Sequence, residues 1–320
     1  MTLTQQRRLG SGFDASSTAL EVVADIDLTG KTVLITGGYS GLGLAATEAL
    51  AHAGAEVIVP ARRIEVARAA VRAIARTRVA ELDLADPHSI RVFADHFLAT
   101  GRTLDIVLAN AGVMAYPRRH FGNGWEAHLA INHLGHFALV NRLRPALART
   151  GARVVSVASS GHFLSDIRWD DLHFGRDYDH WAAYGQSKTA NALFATHLDR
   201  LGAPSGLRAF AVHPGSILTP LQRNIPRADQ LAQGWISAAG EPDPGFKTAA
   251  QGAATAVWAA TSPLLDAHGG AYCQDCDLAE PATTDDMLVG GVKPWALDPD
   301  SAARLWRLSS ELTGVDSFAR

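Results

Sequence analysis

Tyr184-Gly185-Gln186-Ser187-Lys188 places a phenol and an ammonium at i and i+4 of an expected helix, so both stand on one face. A free phenol ionises near pH ~10, and lowering that value by ~3 units takes ~4 kcal/mol of differential stabilisation. A neighbouring ammonium supplies part of it, and the phenol can then hand a proton to a ketone or take one from an alcohol. Lys188 is one of only four lysines in an arginine-rich chain. Y-x-x-x-K is common by chance, so its weight depends on company. Ser159 and Ser160 close the apolar run Arg153–Ala158, where a hydroxyl can hydrogen-bond a carbonyl oxygen; the run leaves the choice between them open. Asn110 closes another such run, in Ala109-Asn110-Ala111-Gly112. Asn132 is a polar residue within the mostly apolar Ile131-Asn132-His133-Leu134-Gly135-His136-Phe137. Buried amides need partners, so Asn132 is either a structural bond-maker or part of a water relay.

A second constellation can hold a dinucleotide. Thr36-Gly37-Gly38-Tyr39-Ser40-Gly41-Leu42-Gly43 lies between an expected strand and an expected helix. Glycines there allow unusual φ angles and let a phosphate meet bare backbone, and the following helix offers free N–H groups and a positive dipole end. The spacing is G-x-x-x-G-x-G, weak alone and stronger for the strand before it and the helix after it. NAD sites usually place an acid at the end of the second strand for the ribose hydroxyls. Val59-Pro60-Ala61 leads instead to Arg62-Arg63, with no acid until Glu65. Two arginines at a helix N-terminus oppose its dipole, and a 2′-phosphate beside Arg62 would relieve them, so NADP(H) is favoured over NAD(H). The other reading is a solvated surface pair. Asp83, in Glu81-Leu82-Asp83-Leu84, can accept from an adenine amino group or serve as a turn or cap residue.

The elements that must carry these groups alternate. Short apolar runs at Thr32–Thr36, Glu56–Pro60, Arg78–Leu82, Leu104–Ala109, Arg153–Ala158 and Leu207–His213 read as strands. Helices are expected at Leu42–Ala53, Ile64–Arg76, Pro87–Ala99, Trp125–Arg149 (kinked at Pro145), Trp181–Leu201, Lys247–Ala260 and Asp300–Thr313. Strands this apolar, separated by helices, imply a parallel sheet buried on both faces. The fold class is therefore α/β: one doubly wound, Rossmann-type sheet with a C-terminal extension and ligands at the strand C-termini. Residues 1–29 form a leader. Thr18 and Glu21 have capping-box spacing, giving a short helix over an end of the sheet, with a disordered arm as the alternative. The catalytic domain would then run from 30 to 320. Within it, 216–245 carries Pro220, Pro226, Pro242 and Pro244 and reads as a lid. Its Leu218, Leu221, Ile225, Leu231, Trp235 and Ile236 can line an apolar pocket or simply pack on the sheet. From Gly270 to Leu297 the chain reads as irregular.

Composition narrows the function. The chain has 320 residues, 47% apolar and 19% charged, with a net charge of −3. That composition excludes disorder and advertises no nucleic-acid surface or polybasic membrane patch. No apolar run approaches the ~18 residues of a membrane span, and the N-terminus lacks a secretory apolar core. Cys273 and Cys276 cannot make a disulfide framework, so a reducing, cytoplasmic location is expected. Their C-x-x-C lacks the second pair of a closed zinc site, and no metal is expected. His133 and His136 read as satisfied interior histidines, Trp295 and Trp306 as core anchors.

TGGYSGLG, ANAG, INHLGHF, VVSVASS, YGQSK and HPGSILT occur in that order. The chain from about Ile26 to Thr313 resembles the short-chain dehydrogenase/reductase family. The insert Trp169-Asp170-Asp171-Leu172-His173, the NHLGHF segment and the tail Ala303–Ser309 resemble its retinol-dehydrogenase-like branch. The resemblance implies Ser159 as carbonyl-polarising serine, Tyr184 as acid/base, Lys188 as its partner and Asn132 as orderer of a relay water. It implies a pyrophosphate loop at Gly37, Tyr39, Ser40, Gly41, Leu42 and Gly43, and cofactor contacts at Arg62, Asp83, Leu84, Asn110, Gly112, Tyr184 and Lys188. Pro214, Gly215 and Thr219 would meet the nicotinamide, whose carbonyl or alcohol partner would be small and lipophilic. Tyr39 stands where the family often has a smaller or basic residue, and Ala158 replaces the first serine of the usual pair. Family dimers usually form on the long Trp181–Leu201 helix, giving a homo-oligomer, although the C-terminal extension can block that face.

Overall fold

The structure is a computed structural model describing residues 3–148 and 151–319. Arg149, the expected end of the helix from Trp125, lies outside the described residues, as do Met1 and Thr2 of the leader. In chain order the elements are α1 (Ala19–Val22), β1 (Thr32–Ile35), α2 (Gly41–His52), β2 (Glu56–Ala61), α3 (Ile64–Val71), β3 (Thr77–Glu81) and α4 (Pro87–Ala99). There follow β4 (Ile106–Ala109), β5 (His120–Phe121), β6 (Trp125–Glu126), α5 (Gly135–Arg142), β7 (Arg153–Val157), α6 (His180–Gly202) and β8 (Arg208–His213). The last are α7 (Arg227–Ala232), α8 (Ala249–Thr261), β9 (Tyr272–Gln274), β10 (Asp277–Leu278) and α9 (Pro299–Thr313).

Six parallel strands run in the order β3-β2-β1-β4-β7-β8, the doubly wound arrangement whose crevice opens where the order reverses beside β1. Alternation along each strand builds two core layers. Leu34, Ile58 and Val154 point to one face with Phe137, Phe194 and Trp306. Val33, Ile35, Val57 and Val155 point to the other, with Phe210, Val257 and Trp258. Local chemistry sets the helix starts. Asp86 caps α4 ahead of Pro87, and Asp179 accepts from the amides of Trp181 and Ala182 at the head of α6.

Three expectations change, and the open alternative for the leader is resolved. The span 125–149 is no single helix: β6 and a π-helical stretch, Leu129–Leu134, precede α5, and Pro145 sits in a 3-10 turn, Arg144–Ala146. Gly135 explains the close seat of that region, since a Cβ there would collide with the Leu84 carbonyl oxygen. The helix from Ile64 ends at Val71 rather than Arg76. The stretch after Gly270 is not all irregular: β9 extends the sheet parallel to β8, and β10 turns back antiparallel to it. The described part of the leader packs on the fold rather than forming a free arm. The Thr18–Glu21 capping box forms, and the Gln6 amide donates to the carbonyls of Tyr272 and Ala279 at the β9–β10 edge. Trp306 is a core anchor as expected, and α9 packs along α6.

Candidate active site

At the C-terminal ends of β1, β2, β3 and β4 lies a cleft of about 780 Å³, within the size range of ligand sites. Thr36, Gly37, Tyr39, Ser40, Gly41, Leu42 and Gly43 form its floor, with Arg62, Asp83, Leu84, Asn110, Gly112 and Thr219 around it. Gly37 (φ +68°) and Gly41 (φ +51°) hold the left-handed backbone that this loop needs. Gly43 keeps the floor bare, because a Cβ there would collide with the Gly37 carbonyl oxygen. Ser40 is the N-cap of α2 but makes no side-chain cap bond, so the first amides of the helix face the cleft unclaimed by their own cap. A glycine cradle at a helix N-terminus fits a pyrophosphate. Asn110 is a builder of the loop: its amide donates to the Thr36 carbonyl at 2.9 Å and its N–H to the Thr36 hydroxyl. One oxygen of Asp83 closes a turn on the Ala85 N–H.

One end of the cleft is cationic. Arg62 and Arg63 are both exposed on the cleft wall, and Arg223 approaches from the far side. Arg63 entered the sequence reading only as part of the Arg62-Arg63 pair; Arg223 was not singled out, and it lies in a 3-10 turn, Pro220–Asn224.

Tyr184 and Lys188 stand on the buried face of α6, 5% and 4% exposed. Ser159 is the serine brought to them. Its hydroxyl lies beside the Tyr184 ring at Gly161 and accepts from the Gly161 N–H at 3.0 Å. The Ser160 N–H donates to His213 Nδ1. Gly161 lets the phenol in, since a Cβ there would lie 2.7 Å from Tyr184 Cε1. The carbonyl of Ser159 accepts from His162 Nδ1, and His162 Nε2 accepts from the Lys293 N–H, so the C-terminal segment holds the serine turn. Lys188 Nζ donates to the Val157 carbonyl at 2.9 Å and lies 5.6 Å from the Tyr184 ring centre.

Electrostatics revise one expectation. Burial pushes the Tyr184 phenol up to about 12 against the pull of the Ser159 side chain, and burial brings the Lys188 ammonium down to about 7. The protein's own groups therefore keep Tyr184 protonated, as a proton donor requires.

Asn132 has a fully engaged side chain. Its oxygen accepts from the Val113 N–H, and its amide donates to the Val113 carbonyl and the Ser187 hydroxyl. The bond-maker reading of that side chain holds. Pro214 and Gly215 follow β8 and do not line the cleft described above; Gly215 (φ +92°) packs against the Lys247 stem. From the 216–245 segment, Leu221, Ile225 and Trp235 join Met114, Ala115, Trp181 and Tyr184 in one apolar cluster, with Trp181 and Trp235 edge to face at 6.1 Å. Leu231 is exposed, and Leu218 stands outside the cluster. Cys273 and Cys276 are buried free thiols, and no metal-binding cluster exists among the described residues.

The glycine-floored cleft and the buried Tyr184, Ser159 and Lys188 group lie on one doubly wound sheet, and none of the three lines the cleft itself. The family model for short chain dehydrogenase matches residues 31–230. A "Probable oxidoreductase" of Streptomyces antibioticus is 44% identical over 297 residues, covering 89% of this chain and 98% of that one. Retinol dehydrogenase 12 of Mus musculus is 36% identical over 298 residues, 91% and 89% of the two chains. A crystal structure of a putative uncharacterized protein from Mycobacterium Paratuberculosis superposes with a TM-score of 0.73 at 36% identity, covering 95% of this chain and 100% of that one. The chain belongs to the short-chain dehydrogenase/reductase family, in its retinol-dehydrogenase-like branch.

Proposed function

We propose that the protein is an NADP(H)-dependent oxidoreductase that interconverts a carbonyl and an alcohol on a small lipophilic substrate, with Tyr184 as general acid/base. One observation carries the reading: a buried phenol, with the Ser159 hydroxyl and Lys188 beside its ring, packs in an apolar cluster near a glycine-floored cleft. Gly37, Tyr39, Ser40, Gly41, Leu42 and Gly43 would hold the pyrophosphate, Arg62 the 2′-phosphate, Asp83 and Leu84 the adenine. Asn110, Gly112 and Lys188 would hold the nicotinamide ribose, and Pro214, Gly215 and Thr219 the nicotinamide. When bound, NADPH supplies the hydride for the carbonyl carbon.

The chain's residues do the rest. Ser159 donates to the carbonyl oxygen and fixes its position. Tyr184 delivers its proton to that oxygen as charge develops, and in the reverse direction takes it back. Lys188 stabilises the phenolate left behind, and Asn132, its side chain spent on Val113 and Ser187, would order a relay water for replacing that proton through its backbone carbonyl alone. The 216–245 segment closes the apolar end as a lid and excludes water from the reacting carbonyl. The two free buried thiols suit a reducing cytoplasm. No helix among the described residues is long and apolar enough to cross a membrane.

The test is oxidation of NADPH or NADH followed at 340 nm against a panel of apolar ketones. Turnover with NADPH is expected. Tyr184→Phe should lower kcat by about 10³-fold while leaving NADPH affinity within about twofold, since a general acid commonly contributes 10²–10⁴-fold. Undiminished activity in that variant would remove the assignment.

A further inference from the structure

Glu126, His128 and Tyr178 are not used by that chemistry, yet they form a closed polar network next to it. Glu126 and His128 are each 0% exposed. The Glu126 carboxylate accepts from His128 Nδ1 at 2.8 Å and from the Leu129 N–H at 2.9 Å. The Tyr178 hydroxyl lies 3.2 Å from the same carboxylate and 2.9 Å from the Tyr116 carbonyl oxygen, with one hydrogen to share between them. Burial raises the Glu126 carboxyl, and the hydrogen bonds it accepts from His128 and Leu129 more than offset it. His128 Nε2 accepts from the Tyr116 N–H at 3.1 Å, so its ring carries its proton on Nδ1. The network thus grips both backbone polar groups of Tyr116.

What it grips is strained and well placed. Ala115 has φ +48°, a left-handed conformation that an alanine adopts only when its surroundings impose it. Met114 and Ala115 pack directly in the cluster with Tyr184, and the His128 ring meets the Tyr184 ring edge-on at 6.1 Å. Asn224, from the 216–245 segment, donates to the Met114 carbonyl on the other side. A wall one residue from the phenol is therefore held by side chains from three separate stretches of sequence.

We propose that Glu126, His128 and Tyr178 are positioning residues, a brace that fixes Met114–Tyr116 against Tyr184 and so determines which carbonyl substrates fit. The role in substrate fit rests on the function proposed above; the brace itself does not.

The test uses the full-length protein with His128→Ala, His128→Gln and Tyr178→Phe. A glutamine can present an oxygen to the Tyr116 N–H and an amide to Glu126; alanine can present neither. Hydrogen exchange of the 113–117 peptide should accelerate about tenfold or more in His128→Ala, as expected for a lost buried hydrogen bond. KM for bulky ketones should rise about tenfold with kcat changed by less than about threefold, the signature of lost positioning. His128→Gln should recover most of both. Tyr178→Phe, which keeps the ring, should move both readouts the same way by about threefold. Unchanged 113–117 exchange and KM in His128→Ala overturn the proposal, as does a KM loss that His128→Gln fails to rescue. Should His128→Ala not fold, unchanged exchange and KM in Tyr178→Phe overturn it alone. A wild type that turns over no carbonyl would sink the proposed function, while the exchange readout would still decide the brace.

Discussion

The two halves of the site are built by different means. The half proposed for the nucleotide is bare glycines and free helix amides, edged by the exposed side chains of Arg62, Arg63 and Arg223. The half proposed for the substrate is made of buried side chains whose hydrogen bonds close on one another. His162 links Ser159 to Lys293, His213 holds Ser160, and His128 holds Tyr116. A backbone cradle needs small residues and tolerates neighbours of many kinds. A side-chain bracket needs particular atoms in a particular protonation state. The first half can therefore be damaged by adding atoms, the second by adding protons.

Acid gives the largest expected effect. Burial holds His136 and His162 down to about 4 and His133 and His213 to about 3, each below the ordinary 6.5. Between pH 6.5 and those values the unfolded chain binds protons that the folded chain refuses, so stability falls as the pH falls through that window. Each ring contributes a slope of at most about 1.4 kcal/mol per pH unit. Denaturation at pH 7.5 and 5.0 should show a loss of several kcal/mol. Equal stability at the two pH values would break the comparison.

Adding atoms comes next. Gly43→Ala puts a methyl group against the Gly37 carbonyl oxygen. The loop must shift, and NADP(H) affinity should fall by about 3 kcal/mol, with a melting temperature lowered far less. Isothermal titration would show it, and retained affinity would mean that the floor is not the cradle described.

Lys188→Met separates function from stability inside the substrate half. The folded value of about 7 lies below the ordinary 10.5, so between the two the unfolded chain binds more protons and wild-type stability rises with pH. Below about pH 7 the full cost of burying the ammonium is present. Methionine removes it at the loss of one bond to the Val157 carbonyl. We expect the variant to be inactive yet more stable by about 2 kcal/mol at pH 6, as is common for apolar replacement of a buried functional charge. Lower stability would show that the Val157 bond outweighs the burial cost.

Legibility from sequence divides along the same line. β1, β2, β4, β7 and β8 are runs of β-branched and apolar residues, and the glycine loop has fixed spacing, so the nucleotide half could be read before folding. Strand ends and helix periodicity also drew attention to Tyr184, Lys188 and the Ser159–Ser160 pair, without choosing between the two serines. β9 and β10 are too short for any periodicity, and the turn between them depends on Asp275 and Cys276 both at positive φ. The break before α5 was hidden because apolar residues continue through β6 and the π-helical stretch; what ends the pattern is tertiary, at Gly135 against Leu84. Glu126, His128 and Tyr178 looked like unrelated polar residues, since only the fold makes them adjacent. Lys188 showed its position but not its balance of forces, because burial is not a local property.

The smallest expected effect is the most discriminating for the cofactor. Arg62→Ala removes one exposed cation from the cationic end of the cleft and touches no core residue, so stability should stay within about 0.5 kcal/mol. If Arg62 meets a 2′-phosphate, NADPH should bind about tenfold more weakly, about 1.4 kcal/mol for one lost charge-assisted bond, while NADH affinity is unchanged. The ratio of the two losses is what matters, because a general weakening of the positive field would lower both. Arg63 and Arg223 share the wall and cap the size of the effect, and salt should shrink it further, as it does for any exposed pair. Equal losses for both nucleotides would leave the cleft a dinucleotide site and strip Arg62 of its part in choosing between them.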